Sequence, residues 1–207
     1  MWIGKITVSL YRQLRNVLAP SLERLFARHG FKIVSTCRDY PSETSKCRDR
    51  LAPFCIGFGL DLGFGGDPIN ESAIRVDMPK PYARTGSYSV QLGGDATRLV
   101  WFADGVLDYI YSSHLLEDFV DTRSVLVEWL RVLKPGGRLV IFCPDQVAYE
   151  AYNLREGHPE QMNPHHVHAD FSLSKVRDIM ADIGGAKELH AIDLVNEYSW
   201  ELVMEKI

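Results

Sequence analysis

Short apolar runs alternate with segments of helical periodicity from Phe54 to the end of the chain. The apolar runs end in turn-forming or acidic residues, which is typical of strands buried on both faces of a sheet. Two other segments, Thr122 to Leu133 and Ser172 to Ile183, carry apolar residues at the spacing of one helix face. This alternation predicts an α/β fold whose mostly parallel sheet is covered by helices on both faces.

Seven apolar runs are predicted to be strands, and the last two have no helical pattern between them. Adjacent strands without a crossover helix indicate an antiparallel hairpin. The predicted fold class is therefore a doubly wound, mostly parallel seven-stranded sheet with an antiparallel C-terminal hairpin at one edge. The predicted strands are Cys55 to Leu62, Ala73 to Asp77, Ser89 to Leu92, Val106 to Ser112, Arg138 to Cys143, Ala186 to Leu194 and Trp200 to Met204.

The first part of the chain has a different pattern. Apolar residues at helical spacing from Val8 to Arg28 predict two short helices, and the polar stretch from Ser35 to Pro53 predicts a connector. We therefore divide the chain into residues 1–53, an N-terminal helical element and connector that could form a lid, and residues 54–207, the main domain. Ordinary packing of the helices on the sheet fits the same pattern.

Composition and charge narrow the classes of partner. A chain of 207 residues with 46% hydrophobic residues fits one globular domain. The net charge of -4 and the pI of about 6.0 argue against binding a polyanion, so nucleic acid is not an expected partner. No apolar run approaches the roughly 18 to 20 residues that cross a bilayer. The N-terminus is too polar for a secretory signal, so we expect no membrane partner and a cytoplasmic location.

A glycine-rich turn, CIGFGLDLGFGGDP, follows the first predicted strand. Asp61 lies at the end of that strand, and Gly63 and Gly65 lie in the turn. Glycines allow a tight turn and a close approach of the backbone to a ligand. A purely structural turn has the same composition, so this turn alone leaves both interpretations open.

Acidic residues follow the next two predicted strands. Asp77 ends the second strand, where a carboxylate can accept both ribose hydroxyls of a nucleoside, and Asp95 follows the third, where it could meet an adenine amino group. Each aspartate has an alternative role as a residue that caps a loop. Their positions at corresponding strand ends favour a nucleoside site.

The chain from about Phe54 to Gly185 resembles the class I S-adenosylmethionine-dependent methyltransferases, in particular the small type 11 group. The resemblance rests on DLGFGGDP, VDMP, GDA, LDYIYSSHLLEDF and EWLRVLKPGGRLVIFCPD, in that order. It implies a Rossmann-like fold, S-adenosylmethionine as the cofactor and methyl transfer as the activity. The cofactor-binding residues that it implies are Asp61, Gly63, Gly65, Asp77, Met78, Asp95, Ala96, Ser113 and His114.

The segment GDPINESAIRV, between the glycine turn and Asp77, departs from the family pattern. It is too short for a full crossover helix, because a βαβ crossover needs about ten to twelve residues or more. The first helix is therefore expected to be short or replaced by a loop. This weakens the helix N-terminus that an NAD-type pyrophosphate site requires, whereas S-adenosylmethionine carries no phosphate.

Histidines at the predicted cofactor edge are candidate bases. Methyl transfer from a sulfonium requires alignment of the acceptor and, for an oxygen acceptor, removal of a proton. His114 follows the fourth strand, and His165 and His168 lie after the fifth, so these three are the candidate catalytic residues. The alternatives are that His114 packs against the adenosine and that the other two are partly exposed residues before a helix. His165 and His168 could also converge with a nearby aspartate on a metal, but no ligand spacing is diagnostic and no metal is predicted.

The expected partner is a small-molecule or saccharide-type acceptor that is methylated on oxygen or nitrogen, and the expected assembly is a monomer or homodimer. Two other classes remain open. One is a methyltransferase-like protein that binds the cofactor without turnover, as a regulatory or scaffold subunit. The other is an NAD(P)-dependent oxidoreductase, which fits the glycine turn but lacks a YxxxK pair.

Overall fold

The computed structural model describes residues 42–79, 81, 88–159 and 162–207. They all lie in one compact unit, which spans Cys37–Ile207. The two N-terminal helices and the lid predicted from the sequence lie outside the described residues.

Within the described part of the chain, seven strands form one sheet. The strands are β1 (Gly59–Leu62), β2 (Ile74–Asp77), β3 (Leu92–Gly93), β4 (Leu107–Ser113), β5 (Leu133–Pro144), β6 (Ala186–Val195) and β7 (Ser199–Lys206). Their order across the sheet is β3-β2-β1-β4-β5-β7-β6. Strands β1 to β5 pair in parallel, whereas β7 is antiparallel to both β5 and β6. This confirms the predicted fold class, including the C-terminal hairpin at one edge.

The strand boundaries differ from the prediction by a few residues, most clearly at the starts of β1, β3 and β5. Strand β1 begins at Gly59, because Ala52–Phe54 form a 3-10 turn and Gly57 has a positive φ of 101°. Strand β5 begins at Leu133, where it pairs with the start of β4 before an irregularity shifts the register. The motif LKPGG therefore lies inside the observed strand rather than before it.

Four α-helices flank the sheet in the described ranges. They are α1 (Glu43–Leu51), α2 (Thr122–Val132), α3 (Gln146–Arg155) and α4 (Leu173–Ile183). Each begins after a side chain that accepts the backbone N–H three positions later, which satisfies one of the free N–H groups at a helix start. These capping residues are Ser42, Asp121, Asp145 and Ser172. Helices α2 and α4 confirm the two predicted from apolar spacing. None of the helices described is long and apolar enough to cross a bilayer.

Helix α1 lies in the stretch predicted as a connector, so that prediction was wrong from Glu43 onward. The helix is polar overall, but its Cys47 and Leu51 side chains are fully buried. In addition, Arg50 Nε donates a 2.6 Å hydrogen bond to the buried Glu201 carboxylate of β7. The sequence pattern hid this helix because few apolar residues are needed to attach it to the sheet.

Apolar side chains cover both faces of the sheet. On one face, Leu139 of β5 belongs to a buried cluster with Trp129 of α2 and residues of α4. On the other face, Val140 belongs to a second cluster with Leu51 of α1. Alternation of side chains along a strand explains why consecutive residues enter opposite clusters.

The connection between β1 and β2 has no helix. Residues 63–73, all of which are described, form turns and bends. This confirms that the first crossover helix is replaced by a loop. The loop leaves the carboxyl end of β1 bordered by glycine backbone rather than by the first turn of a helix.

Replacing Leu139 by alanine should lower the free energy of unfolding by about 2 to 5 kcal/mol, because it leaves a cavity in the larger cluster. Val127→Ala, on the exposed side of α2, is the control and should change it by about 0.5 kcal/mol or less. Urea denaturation measures both. Equal losses in the two variants would show that β5 is not a core strand.

Candidate active site

Parallel pairing brings several chemically distinctive residues to one edge of the sheet. Gly63 N donates to Val76 O at 2.8 Å, and Gly94 N donates to Asp77 O at 3.0 Å. These bonds align the carboxyl ends of β1, β2 and β3. The open edge beyond parallel strands is where α/β proteins bind ligands.

Asp61 of β1 is fully buried. Its Oδ2 accepts a 2.6 Å hydrogen bond from Ile69 N, whereas Oδ1 is buried and has no hydrogen-bond partner among the described residues. Burial raises the pKa of Asp61 well above its ordinary value. A buried carboxylate with an unsatisfied oxygen is costly unless a cationic or donor group meets it.

The glycine turn that follows this strand is open at Gly65. Gly63 and Gly65 have positive φ values of 65° and 62°, which other residues adopt at a cost. A Cβ on Gly63 would lie 2.9 Å from Leu115 Cδ2. A Cβ on Gly65 would meet nothing nearer than the Gly63 carbonyl at 3.9 Å. The turn is therefore closed toward the protein and open toward a ligand.

Asp77 of β2 faces the same turn. Its Oδ2 accepts from Gly65 N at 3.2 Å, and its Oδ1 accepts from the neighbouring Met78 N at 2.7 Å. Burial raises the pKa of Asp77, although these two bonds oppose the shift. Asp61 and Asp77 therefore flank one stretch of open backbone. Met78 itself is 45% exposed.

Asp95 makes the contacts of a loop cap. Its Oδ1 accepts from both the backbone N and the hydroxyl of Thr97, at 2.8 and 2.6 Å. The next residue, Ala96, accepts a 2.8 Å hydrogen bond from Trp129 Nε1, which holds the loop on helix α2. Asp95 therefore caps its own loop, as the alternative interpretation predicted. This loop follows strand β3.

Trp101 lies against the same loop, and the sequence analysis missed it. A Cβ on Gly94 would lie 1.8 Å from the Trp101 ring, so this glycine is required for the contact. The indole is 53% exposed. A tryptophan placed seven residues after a Gly-Gly pair carries no motif, and its position depends on how the loop folds.

Ser113 is the last residue of strand β4, and His114 follows it. Ser113 is buried, and its Oγ has no hydrogen-bond partner in the described ranges. His114 has a positive φ of 49°, and its ring packs against Phe142 and the edge of Tyr198. Burial lowers the pKa of His114, and the nearby Glu43 carboxylate opposes this shift.

Glu43 of helix α1 faces His114. Its Oε2 lies 3.4 Å from His114 Nε2, and its Oε1 accepts from Lys46 Nζ at 2.6 Å. Burial works against ionisation of Glu43, but His114 and Lys46 together lower its pKa. The sequence analysis missed this residue because it assigned the segment to a connector.

Glu117 is a second buried carboxylate near His114, and it also was missed. It is fully buried, and burial, aided by the nearby Asp118, raises its pKa to about 8. Its Oε1 lies 3.9 Å from His114 Nδ1 and 3.5 Å from His166 Nε2. Burial lowers the pKa of His166 to about 4. No motif marked His166 among its neighbouring histidines.

The other two candidate histidines lie apart from Glu117. His165 is exposed, and its backbone N donates to Asn163 Oδ1 at 3.0 Å. His168 Nε2 lies 2.8 Å from Phe119 O, and its ring stacks on Phe171. Among the described residues, one group of side chains could bind a metal ion, and it consists of Glu117, Asp118 and His166. It does not include His165 or His168.

Part of the chain is similar in sequence to known methyltransferases. Residues 69–141 match the model of a methyltransferase domain family. A demethylmenaquinone methyltransferase from Mycolicibacterium paratuberculosis is 51% identical over 51 residues, which are 25% of this chain and 22% of that protein. A malonyl-[acyl-carrier protein] O-methyltransferase from Coxiella burnetii is 27% identical over 142 residues, 65% of this chain and 48% of that protein. The chain thus spans less than half the length of these curated relatives.

Solved structures share the fold. A methyltransferase dependent on S-adenosylmethionine from Archaeoglobus fulgidus aligns with a TM-score of 0.58 at 17% identity, covering 79% of this chain and 92% of that one. A protein from Pyrococcus horikoshii aligns with a TM-score of 0.60 at 17% identity, covering 79% and 89%. Residues 69–141 thus match a methyltransferase domain family, and the chain shares the fold of a solved S-adenosylmethionine-dependent methyltransferase. This confirms the resemblance inferred from its motifs.

The family match begins after the glycine turn. Residues 69–141 include Asp77, Asp95 and His114, but exclude Asp61 and Gly63. The roles of individual residues toward the cofactor therefore stay predictions, and they depend on the geometry of the strand ends and the glycine turn.

Asp61→Asn should stabilise the ligand-free protein at pH 7, because the variant removes a buried charge and keeps an oxygen for Ile69 N. The raised folded-state pKa means that ionised Asp61 opposes folding above the ordinary value of 3.8. The stability difference should therefore shrink as the pH falls through that value, because below it the residue is protonated in both states. Denaturation curves at neutral and acid pH measure it.

Asp193→Asn is the control, because this aspartate is 82% exposed on strand β6. It should show little difference at either pH. An Asp61→Asn protein that is less stable than the wild type at pH 7 would contradict the buried-charge interpretation.

Proposed function

We propose that this protein transfers a methyl group from S-adenosylmethionine to an oxygen or nitrogen of a small-molecule or saccharide-type acceptor. The observation that carries the proposal is the pair of carboxylates, Asp61 and Asp77, on either side of an open glycine turn. The cofactor supplies an electrophilic methyl group on a sulfonium. The protein has to bind both ends of that molecule and align the acceptor.

The unsatisfied oxygen of Asp61 suits the ammonium group of the methionine portion. A charge-assisted bond would satisfy Oδ1, which lacks a partner among the described residues. Asp77 keeps lone pairs for the ribose hydroxyls while its bonds to Gly65 and Met78 hold it in place. Asp95 and Ala96 shape the loop that would border the adenine, and the exposed face of Trp101 offers an apolar surface there.

His114 is the proposed proton acceptor for an oxygen nucleophile. Its burial favours the neutral imidazole, which is the form that can take a proton. The Glu43 carboxylate, 3.4 Å from Nε2, would stabilise the imidazolium once the proton has arrived. His165 is exposed and His168 Nε2 already contacts Phe119 O at 2.8 Å, so we assign them no step.

The identity of the acceptor is kept general. The relatives are named for demethylmenaquinone and for malonyl-[acyl-carrier protein], two chemically different acceptors. Each alignment covers less than half of the relative, so neither acceptor is transferred to this chain. We therefore propose only that the acceptor is a small molecule with a nucleophilic oxygen or nitrogen.

The sheet disfavours an NAD(P)-dependent oxidoreductase. Doubly wound dinucleotide domains use a parallel sheet and a phosphate-binding helix after β1. Here β7 is antiparallel, and residues 63–73 contain no helix. A silent cofactor-binding protein remains the competing function, and measurement of turnover separates it from an enzyme.

Calorimetric titration with S-adenosylhomocysteine tests the cofactor site. Asp77→Asn should weaken binding by about 1 to 3 kcal/mol, because ribose hydroxyls would lose an ionised acceptor. Asp193→Asn is the matched control and should bind like the wild type. Failure of the wild-type protein to bind at millimolar ligand would refute the proposed function, and unchanged affinity in Asp77→Asn would remove that residue from the site.

His114→Gln should reduce the rate of S-adenosylhomocysteine release about 10² to 10⁴-fold, because it removes the base, while affinity for S-adenosylhomocysteine stays unchanged. The assay uses a panel of hydroxyl and amine acceptors. His190→Gln, an equivalent change on edge strand β6, is the control. If the wild type binds the cofactor but methylates no acceptor, the result would favour a protein that binds the cofactor without turnover.

A further inference from the structure

The orientation of His166 is set by a chain of hydrogen bonds. Gln146 Nε2 donates to Glu150 Oε1 at 2.8 Å, so the amide oxygen of Gln146 is left facing His166 Nδ1, also at 2.8 Å. An amide oxygen can only accept, so Nδ1 carries the ring proton. In the neutral imidazole, Nε2 therefore presents a lone pair.

That lone pair points at another acceptor. His166 Nε2 lies 3.5 Å from Glu117 Oε1, which is buried and has no hydrogen-bond partner among the described residues. The second oxygen of this carboxylate, Oε2, accepts from Cys143 Sγ at 3.3 Å. Two lone pairs facing each other in a buried site repel unless a positive species lies between them.

The separation fits a shared metal ion. Two ligands bound tetrahedrally at about 2.0 to 2.1 Å are roughly 3.4 Å apart, close to the Glu117 to His166 distance. A carboxylate oxygen of Asp118 completes the group, since the three ligand atoms lie within 4.8 Å of one another. The bond from His166 Nδ1 to an amide oxygen is the support that metal-binding histidines require.

We propose that Glu117, Asp118 and His166 form a binding site for one divalent transition-metal ion, of which Zn²⁺ is the representative. Imidazole with two carboxylates suits such ions better than Mg²⁺ or Ca²⁺, which prefer oxygen ligands alone. This site goes beyond the proposed methyl transfer, and its existence does not depend on that function.

The ion would hold together two loop segments that are distant in the sequence. Glu117 and Asp118 lie in a 3-10 turn that begins three residues after the end of β4, and His166 lies in the segment between α3 and α4. Val167 N already donates to Glu117 O at 3.3 Å, so the two segments are in contact. The ion would hold the segment after α3 beside His114, at the edge where the acceptor is proposed to bind.

Calorimetric titration of the chelator-treated full chain with Zn²⁺ tests the site. We expect one ion per chain, and at least tenfold weaker binding in His166→Asn. His190→Asn is the matched control, because His190 also contacts a buried glutamate, at 2.9 Å, and should leave Zn²⁺ affinity unchanged. Mg²⁺ at the same concentrations should give no comparable heat.

Asp118→Asn is a second variant in case His166→Asn fails to fold, which circular dichroism would show. It too should weaken Zn²⁺ binding at least tenfold. Equal affinity in the wild type and both site variants, or no binding by the wild type, would overturn the proposal and indicate a proton on Glu117 between the two acceptors. Titration of the same samples with S-adenosylhomocysteine shows separately whether the cofactor site is intact.

Discussion

Parallel pairing of β2, β1 and β4 is the constraint on which the site depends. Because neighbouring parallel strands run in the same direction, their last residues must meet at one edge. That edge receives Asp61 and Asp77, which are far apart along the chain, and places both against the glycine turn. The missing crossover helix after β1 keeps the turn accessible. Two carboxylates and the glycine backbone between them therefore share one edge of the sheet.

Burial gives these groups their chemical character. Asp61, Glu117 and His114 all lie at the carboxyl edge, and burial is the first cause of the pKa shift of each. The protein places unsatisfied oxygens there although each is costly in a folded core. Sites with such a cost are typical of binding and catalysis, where a ligand or ion completes the hydrogen bonding.

Helix α1 links the loop after β1 to the end of β4. Arg48 and the capping Ser42 both bind the Asp67 carboxylate, on the loop that follows the glycine turn. At the same end of the helix, Glu43 faces His114. One short polar helix thus supports the loop of the glycine turn and places a carboxyl group beside the proposed base. Its polar composition concealed it in the sequence because its ion pairs, rather than apolar periodicity, attach it to the sheet.

The amino-acid sequence by itself determined the α/β class and the order of strands and helices along the chain. It also determined that the first crossover lacks a full helix and that Asp61 and Asp77 lie near strand ends. These follow from local periodicity, from chain length and from the rule that parallel strand ends share an edge. Only the tertiary structure decided that Glu43, Glu117 and His166 join His114, and that Asp95 caps its own loop. Contacts between segments distant in sequence, such as Glu117 with His166 at 3.5 Å, depend on packing that no local pattern encodes.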